Sequence, residues 1–77
     1  MKQPGAAKWF RSKLVGALDL ASVTREEFAE SIGITYPTLQ KRLDGTRPFT
    51  DVELSRIGKK YGMWDDVKEF LLRKARE

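Results

Sequence analysis

The stretch TREEFAESIGITYPTLQKRLDG, residues 24–45, has the punctuation of two short helices joined by a tight turn. Thr24 and Glu27 have the spacing of a capping box, in which each side chain binds the backbone N–H of the other, so a helix is predicted to begin after Thr24. Gly33 ends that helix because glycine readily adopts the left-handed conformation found at helix C-termini. Thr35 is the predicted cap of a second helix, which ends at Gly45.

The side chains between these signals suit two helices that cross at close range. Ala29 lies four residues before Gly33, where a small side chain lets the second backbone approach. Ile34 and Leu39 are apolar and are expected to fix the crossing angle by burial. Pro37 is tolerated because it lies in the first turn, where backbone N–H groups have no intrahelical partner. The segment is therefore interpreted as a helix-turn-helix.

Outward from this segment, the same signals predict three more helices. Phe49, Thr50, Glu53 and Leu54 repeat the capping box together with a hydrophobic staple. Helices are expected at about residues 6–20, 25–32, 36–43, 51–61 and 64–75, with no strand, as one all-α, five-helix domain over residues 1–77. The first helix carries an apolar stripe formed by Phe10, Leu14, Ala17, Leu18 and Ala21, and the fifth is expected to turn Val67, Phe70 and Leu71 inward.

Length and composition exclude most catalytic chemistry. The chain has 77 residues, no cysteine and no histidine, which leaves no disulfide, thiolate nucleophile, imidazole base or common zinc ligand. The acid pairs Glu26–Glu27 and Asp65–Asp66 fall in predicted first turns, where carboxylates favour the helix dipole, so a glycosidase or metal site is not indicated. We expect no enzyme activity, no metal and no cofactor.

The charge and hydropathy of the chain indicate which kinds of partner it could bind and where in the cell it would be found. The chain has 15 Lys and Arg against 11 Asp and Glu, a net charge of +4 that weakly indicates an anionic partner. No apolar run approaches the roughly 18 residues of a membrane span, and the first residues lack the apolar stretch of a secretory signal. A cytoplasmic location with no membrane partner is expected.

These features resemble the phage lambda repressor-like helix-turn-helix domains, which include Cro and the amino-terminal domains of repressors. The resemblance covers nearly the whole chain: the capped second helix, Ala29 and Gly33 at their separation of four, the short helix that ends at Gly45, the stretch RPFT at residues 47–50, and the closing fifth helix. One departure is that family members often carry an apolar residue where Arg42 stands, whereas here the next residue, Leu43, is apolar.

The resemblance implies that the third helix lies in the major groove with its amino-terminal residues against base edges. The positions that match base-reading positions of the family are Tyr36, Pro37, Thr38, Gln40 and Lys41. Gln40 has the chemistry to pair with adenine, Lys41 to reach guanine, and the other three to pack on a thymine methyl. Phosphate contacts are expected from Arg25, Thr35, Arg42, Thr46 and Arg47.

Several of these residues have a second interpretation. Lys41 and Arg42 also fit a solvated helix end stabilised by the dipole, and Arg25 has Glu26, Glu27 and Glu30 nearby for local ion pairs. Tyr36 also fits a residue that covers the turn. Exposed Trp9, Met63 or Trp64 would suit a dimer contact.

The function implied by the resemblance is that of a transcriptional regulator that occupies a double-stranded DNA operator in the cytoplasm of a bacterium or a phage-infected host. A homodimer on two half-sites about 34 Å apart is expected, with no small-molecule substrate. The alternatives are an antitoxin or protein-interaction module with the same fold, and non-specific nucleic-acid packaging.

Overall fold

Five α-helices and no β-strand make up residues 5–77, the part of the chain that the computed structural model describes. The helices are α1 (Ala6–Ala21), α2 (Arg25–Ser31), α3 (Tyr36–Asp44), α4 (Asp51–Tyr61) and α5 (Trp64–Arg76). The expected all-α, five-helix architecture is confirmed, and each helix end lies within one residue of its predicted position. The radius of gyration is 11.9 Å, close to the roughly 11.5 Å expected for a compact chain of this length.

Both predicted capping boxes are present. The Thr24 hydroxyl accepts a hydrogen bond from the Glu27 backbone N–H at 3.1 Å, and Glu27 Oε1 accepts one from the Thr24 N–H at 3.2 Å. Thr50 and Glu53 make the same two bonds at 3.2 and 3.0 Å. Because these bonds satisfy N–H groups that have no intrahelical partner, they fix where α2 and α4 begin.

Every helix contributes buried apolar side chains to one core. Phe10 of α1 stacks on Phe70 of α5 with ring centres 4.9 Å apart, and Phe49, in the loop before α4, meets Phe10 edge-on at 5.9 Å. These three rings hold α1, α5 and the α3–α4 loop together. The buried apolar set is Ala6, Phe10, Leu14, Leu18, Phe28, Ala29, Ile32, Leu39, Leu54, Ile57, Met63, Val67 and Phe70.

Three expected core or surface positions differ from the prediction. Leu71 is 47% exposed, because Val67 and Phe70 already occupy the side of α5 that faces the core. Ala21 is exposed at the last residue of α1, while Ala6 at the other end of the helix is buried. Met63 is buried, so it is not a surface for a partner.

None of the five helices combines the length and the apolar composition that a membrane crossing requires.

Substitution of Ala29 tests the close approach of α2 to its neighbours. Ala29 is 2% exposed, so Ala29→Leu inserts methyl groups into a filled space and should lower the free energy of unfolding by about 1–3 kcal/mol. Urea denaturation measures this change. Ala21→Leu, at an exposed helical position, is the control and should stay within about 0.5 kcal/mol of wild type. Equal stability of the two variants would contradict tight packing at Ala29.

Candidate nucleic-acid interface

The connection between α2 and α3, residues 32–35, is folded back onto the end of α2. The Gly33 N–H donates to the Glu30 carbonyl at 3.1 Å, and the Ile34 N–H donates to the Ala29 carbonyl at 3.0 Å. Gly33 has a φ of 76°, the left-handed conformation that glycine adopts without steric penalty. Ile34 then packs against the core. The turn therefore has little freedom, and α3 starts in a defined direction.

The C-terminus of α2 is also held by cations from α4. Arg56 Nη1 donates to the Ile32 carbonyl at 2.9 Å, and Lys60 Nζ donates to the Ser31 carbonyl. A positive charge at a helix C-terminus is favourable because the last carbonyls carry partial negative charge. A Cβ at Gly33 would push the Arg56 guanidinium away from its place beside the Ile32 carbonyl. Sequence reasoning missed both cations, although their spacing of four residues places them on one side of α4.

A single fully buried side chain, Leu39, anchors α3. Leu43 packs partly against the core from the same side of the helix. At about 100° per residue, Pro37 and Lys41 lie opposite Leu39, Gln40 lies beside them, and Tyr36 lies on the flank next to Leu43. All four are exposed. We call these four residues the outer face of α3.

Two residues border the outer face of α3. Thr38, the fifth position expected to read bases, lies at its edge and is only partly exposed. Asp44, to which the sequence pattern assigned no role, is exposed on the same side at the end of the helix. The Asp44 carboxylate repels phosphate. The part of the outer face that can lie close to an anion is therefore formed by the first two turns of α3.

Two pairs of side chains at the start of α3 are held by hydrogen bonds. Gln40 Nε2 donates to the Tyr36 hydroxyl at 2.8 Å, which holds the amide across one helical turn. The Thr35 hydroxyl accepts from the Thr38 backbone N–H at 3.4 Å and donates to Thr38 Oγ1 at 2.9 Å. Thr35 therefore acts as the cap of α3, as predicted, and its hydroxyl is already engaged there.

Arg42 differs from its expected role as a phosphate ligand. Its Nε and Nη2 donate to the two carboxylate oxygens of Glu53 at 2.9 and 3.3 Å, and the Arg42 side chain is only 14% exposed. Position 42 lies on the inner side of α3, with Leu39 and Leu43, and it points toward the start of α4. Arg42 thus has a buried carboxylate partner within the fold.

Glu53 takes part both in this ion pair and in the capping box at the start of α4. Burial raises the pKa of the Glu53 carboxyl, but hydrogen bonds from Arg42 and from the Thr50 backbone N–H, with the positive charge of Arg42, outweigh burial and hold the pKa below its ordinary value. The Glu53 carboxylate therefore stays ionised and accepts hydrogen bonds from both Arg42 and the Thr50 backbone N–H.

Exposed cations lie at both ends of the unit formed by α2 and α3. Arg25 is in the first turn of α2, and Thr46 and Arg47 follow α3. Between residues 5 and 77, neither Arg25 nor Arg47 has a carboxylate oxygen within 4.0 Å, so the local ion pairs considered for Arg25 are not formed. Glu27, one of the acids considered, is engaged in the capping box.

Acidic side chains do not gather into a ligand set anywhere from residue 5 onward. Clusters of three or more carboxylates that could hold a metal ion are not found in this part of the chain. Glu26, Asp65 and Asp66 lie in the first turns of α2 and α5, where a carboxylate favours the helix dipole.

No protein-family model, curated protein or solved structure matches this chain. A function is therefore inferred from the side chains of the outer face of α3 and its flanking cations.

Replacement of Glu53 should produce a pH-dependent loss of stability. Because the folded-state pKa is lowered from 4.5, the carboxylate stabilises the fold above that pH, and the contribution disappears as pH falls through the folded value. At pH 7, Glu53→Gln should lower the free energy of unfolding by about 1–3 kcal/mol. The difference from wild type should shrink as pH falls below 4.5.

Urea denaturation at several pH values measures this difference. Glu30→Gln, which changes an exposed carboxyl of α2, is the matched control and should show a small difference at every pH. A Glu53→Gln difference that remained constant into strong acid would show that the charge of Glu53 is not what stabilises the contact.

Proposed function

We propose that this chain binds duplex DNA sequence-specifically as a transcriptional regulator, with α3 as the recognition helix of a helix-turn-helix. The observation that carries the proposal is the outer face of α3, which presents hydrogen-bonding side chains to solvent while Leu39 anchors the helix to the core. The major groove of B-DNA is wide enough for an α-helix, and its base edges carry a distinct donor and acceptor pattern. The resemblance to lambda repressor-like domains supports the same assignment.

Gln40 is the side chain best prepared to read a base. Bidentate pairing with adenine needs one amide N–H for N7 and the amide oxygen for the N6 amino group. The Gln40 amide has two N–H donors, and only one is used by the Tyr36 hydroxyl. Tyr36 is thus a positioning residue that limits the rotation of the amide before DNA arrives.

The remaining members of the outer face of α3 supply complementary chemistry. Lys41 is exposed and has the reach to donate to guanine O6 and N7. Pro37 and the ring of Tyr36 offer apolar surface to a thymine methyl. Thr38, at the edge of the face, has a methyl group for the same contact, while its hydroxyl is shared with Thr35.

Phosphate contacts are assigned to the exposed groups at both ends of the α2–α3 unit. Arg25 before α3 and Arg47 after it are without carboxylate partners among residues 5–77, and Thr46, which is exposed, precedes Arg47. Cations on both sides of a recognition helix are placed to meet the two strands that border the groove. Thr35 and Arg42 are instead positioning residues, because their polar atoms already hold α3 in place.

We propose that the chain forms a homodimer through exposed apolar side chains of α5. Leu71, Leu72 and Trp64 are 47%, 54% and 40% exposed. Apolar side chains of this size favour burial against a partner, and a two-fold dimer would place two recognition helices on half-sites about 34 Å apart. Such a regulator would act in the cytoplasm of a bacterium or a phage-infected host, where its operator is accessible.

Selection of bound duplexes from a random pool tests sequence-specific binding, and symmetry in the recovered site reports the dimer. On that site, Gln40→Ala and Lys41→Ala should each weaken binding by about 1–3 kcal/mol and relax the preference at one base pair. Tyr36→Phe removes the hydroxyl that holds the Gln40 amide, so it should reduce the base preference at the position read by Gln40 while total affinity changes little. Lys59→Ala removes an equal charge from an exposed position of α4 and serves as the control. Equally weakened binding to every sequence would contradict base reading by α3.

The phosphate assignment has a separate signature in salt dependence. Removal of one cation that binds a phosphate should flatten the slope of log K against log salt concentration by about one. Arg47→Ala should therefore weaken binding to all sequences alike and reduce the slope by that amount. Fluorescence anisotropy over a range of salt concentrations measures the slope. An unchanged slope would remove Arg47 from the DNA backbone.

A further inference from the structure

A cleft with a volume of about 160 Å³ opens between α1, α5 and the loop that follows α3. The accessible part of its apolar wall includes Pro48, which is exposed, and Phe49, which is partly exposed. The rings of Phe10 and Phe70, only 1% and 5% exposed, lie at its base, and the edge-on contact with Phe10 holds the Phe49 ring in place. A cavity of roughly 150 Å³ with apolar walls accommodates a single benzene ring. The cleft therefore has the size and lining for one small aromatic group.

Cations line the same cleft. Arg11 of α1, Arg47 of the loop and Lys74 of α5 are all lining residues. The Arg11 guanidinium lies against Gly45, so that a Cβ there would be 3.0 Å from Arg11 Nη1, and Lys74 Nζ lies 5.9 Å from the centre of the Phe70 ring. Within residues 5–77, none of the three cations has a carboxylate oxygen within 4.0 Å.

The other charged groups of the cleft are already engaged. Arg42 is paired with Glu53, and the Glu77 carboxylate accepts a hydrogen bond from the Ala6 backbone N–H at the start of α1. The Glu77 side chain keeps its negative charge, with no cation within 4.0 Å among residues 5–77, but Arg11, Arg47 and Lys74 outnumber it, so the net unpaired side-chain charge of the cleft is positive. An apolar wall beside unpaired cations fits a ligand with a ring at one end and a negative charge at the other.

We propose that this cleft binds a small aromatic monocarboxylate, with its ring against Pro48 and Phe49 and its carboxylate at Arg11 and Lys74. The ring alone lacks a partner for the cations, and a small anion alone leaves the apolar wall exposed to water. Both parts of the ligand are needed for binding. The binding requires no DNA, since Arg11 and Lys74 are outside the proposed DNA interface.

Titration of benzoate into the labelled protein without DNA, followed by NMR, tests the proposal. Saturable shifts are expected at amides that border the cleft, including those of Phe49 and Lys74, with a dissociation constant of about 1 mM for so small a ligand. Benzyl alcohol, which keeps the ring, and acetate, which keeps the charge, should each bind at least about tenfold more weakly. Equal binding of either probe, or shifts that do not saturate with benzoate, would overturn the proposal.

Variants locate the two ends of the ligand. Arg11→Gln and Lys74→Gln should each weaken benzoate binding by about three- to tenfold, whereas the control Lys59→Gln, which removes a charge from α4, should not. Ala7→Leu, at an exposed lining position of α1, narrows the cleft and should weaken benzoate without changing the charge. Thermal unfolding verifies that each variant is folded. Full affinity in both Ala7→Leu and Lys74→Gln would place the ligand elsewhere and refute the assigned site.

Discussion

The Glu53 carboxylate joins α3 to the beginning of α4, and the arrangement of the outer face of α3 depends on that contact. One oxygen closes the capping box with Thr50 and also accepts from Arg42, and the second oxygen accepts from the other end of the guanidinium. A bidentate arginine–carboxylate pair fixes the angle between its two planes as well as their separation. The rotation of α3 about its own axis is thereby set from within the fold, before any partner is present.

A second set of contacts fixes α2 in the same way. Arg56 and Lys60 cross from α4 to the last carbonyls of α2, and the Tyr61 hydroxyl lies 2.5 Å from Ser31 Oγ. Helix α4 therefore holds both α2 and α3 by polar contacts at their ends, while the apolar core fills the space between them. Side chains that project from such a braced pair of helices have less rotational and translational freedom to lose on binding, which favours affinity.

Local features of the fold were predictable from sequence because the interactions that make them are local. The capping boxes join residues three apart, and the glycine at position 33 ends α2 by a conformational preference of its own. Burial of Leu39 followed from its apolar side chain in a helix that begins just after a tight turn. By contrast, the Arg42–Glu53 pair joins residues 11 apart and the Arg56 contact residues 24 apart. The partner of a long polar side chain depends on how helices pack, so sequence reasoning placed Arg42 on the surface and did not identify Arg56 or Lys60.

Leu39 is the one fully buried side chain of α3, so the exposed residues of this helix are free to vary in sequence. Because Tyr36, Pro37, Gln40 and Lys41 contribute little to the core, replacements at these positions should leave the free energy of unfolding nearly unchanged. A library randomised at these four codons would keep most of its members folded. The chemistry of this surface can thus change through a few exposed side chains, without repacking of the interior.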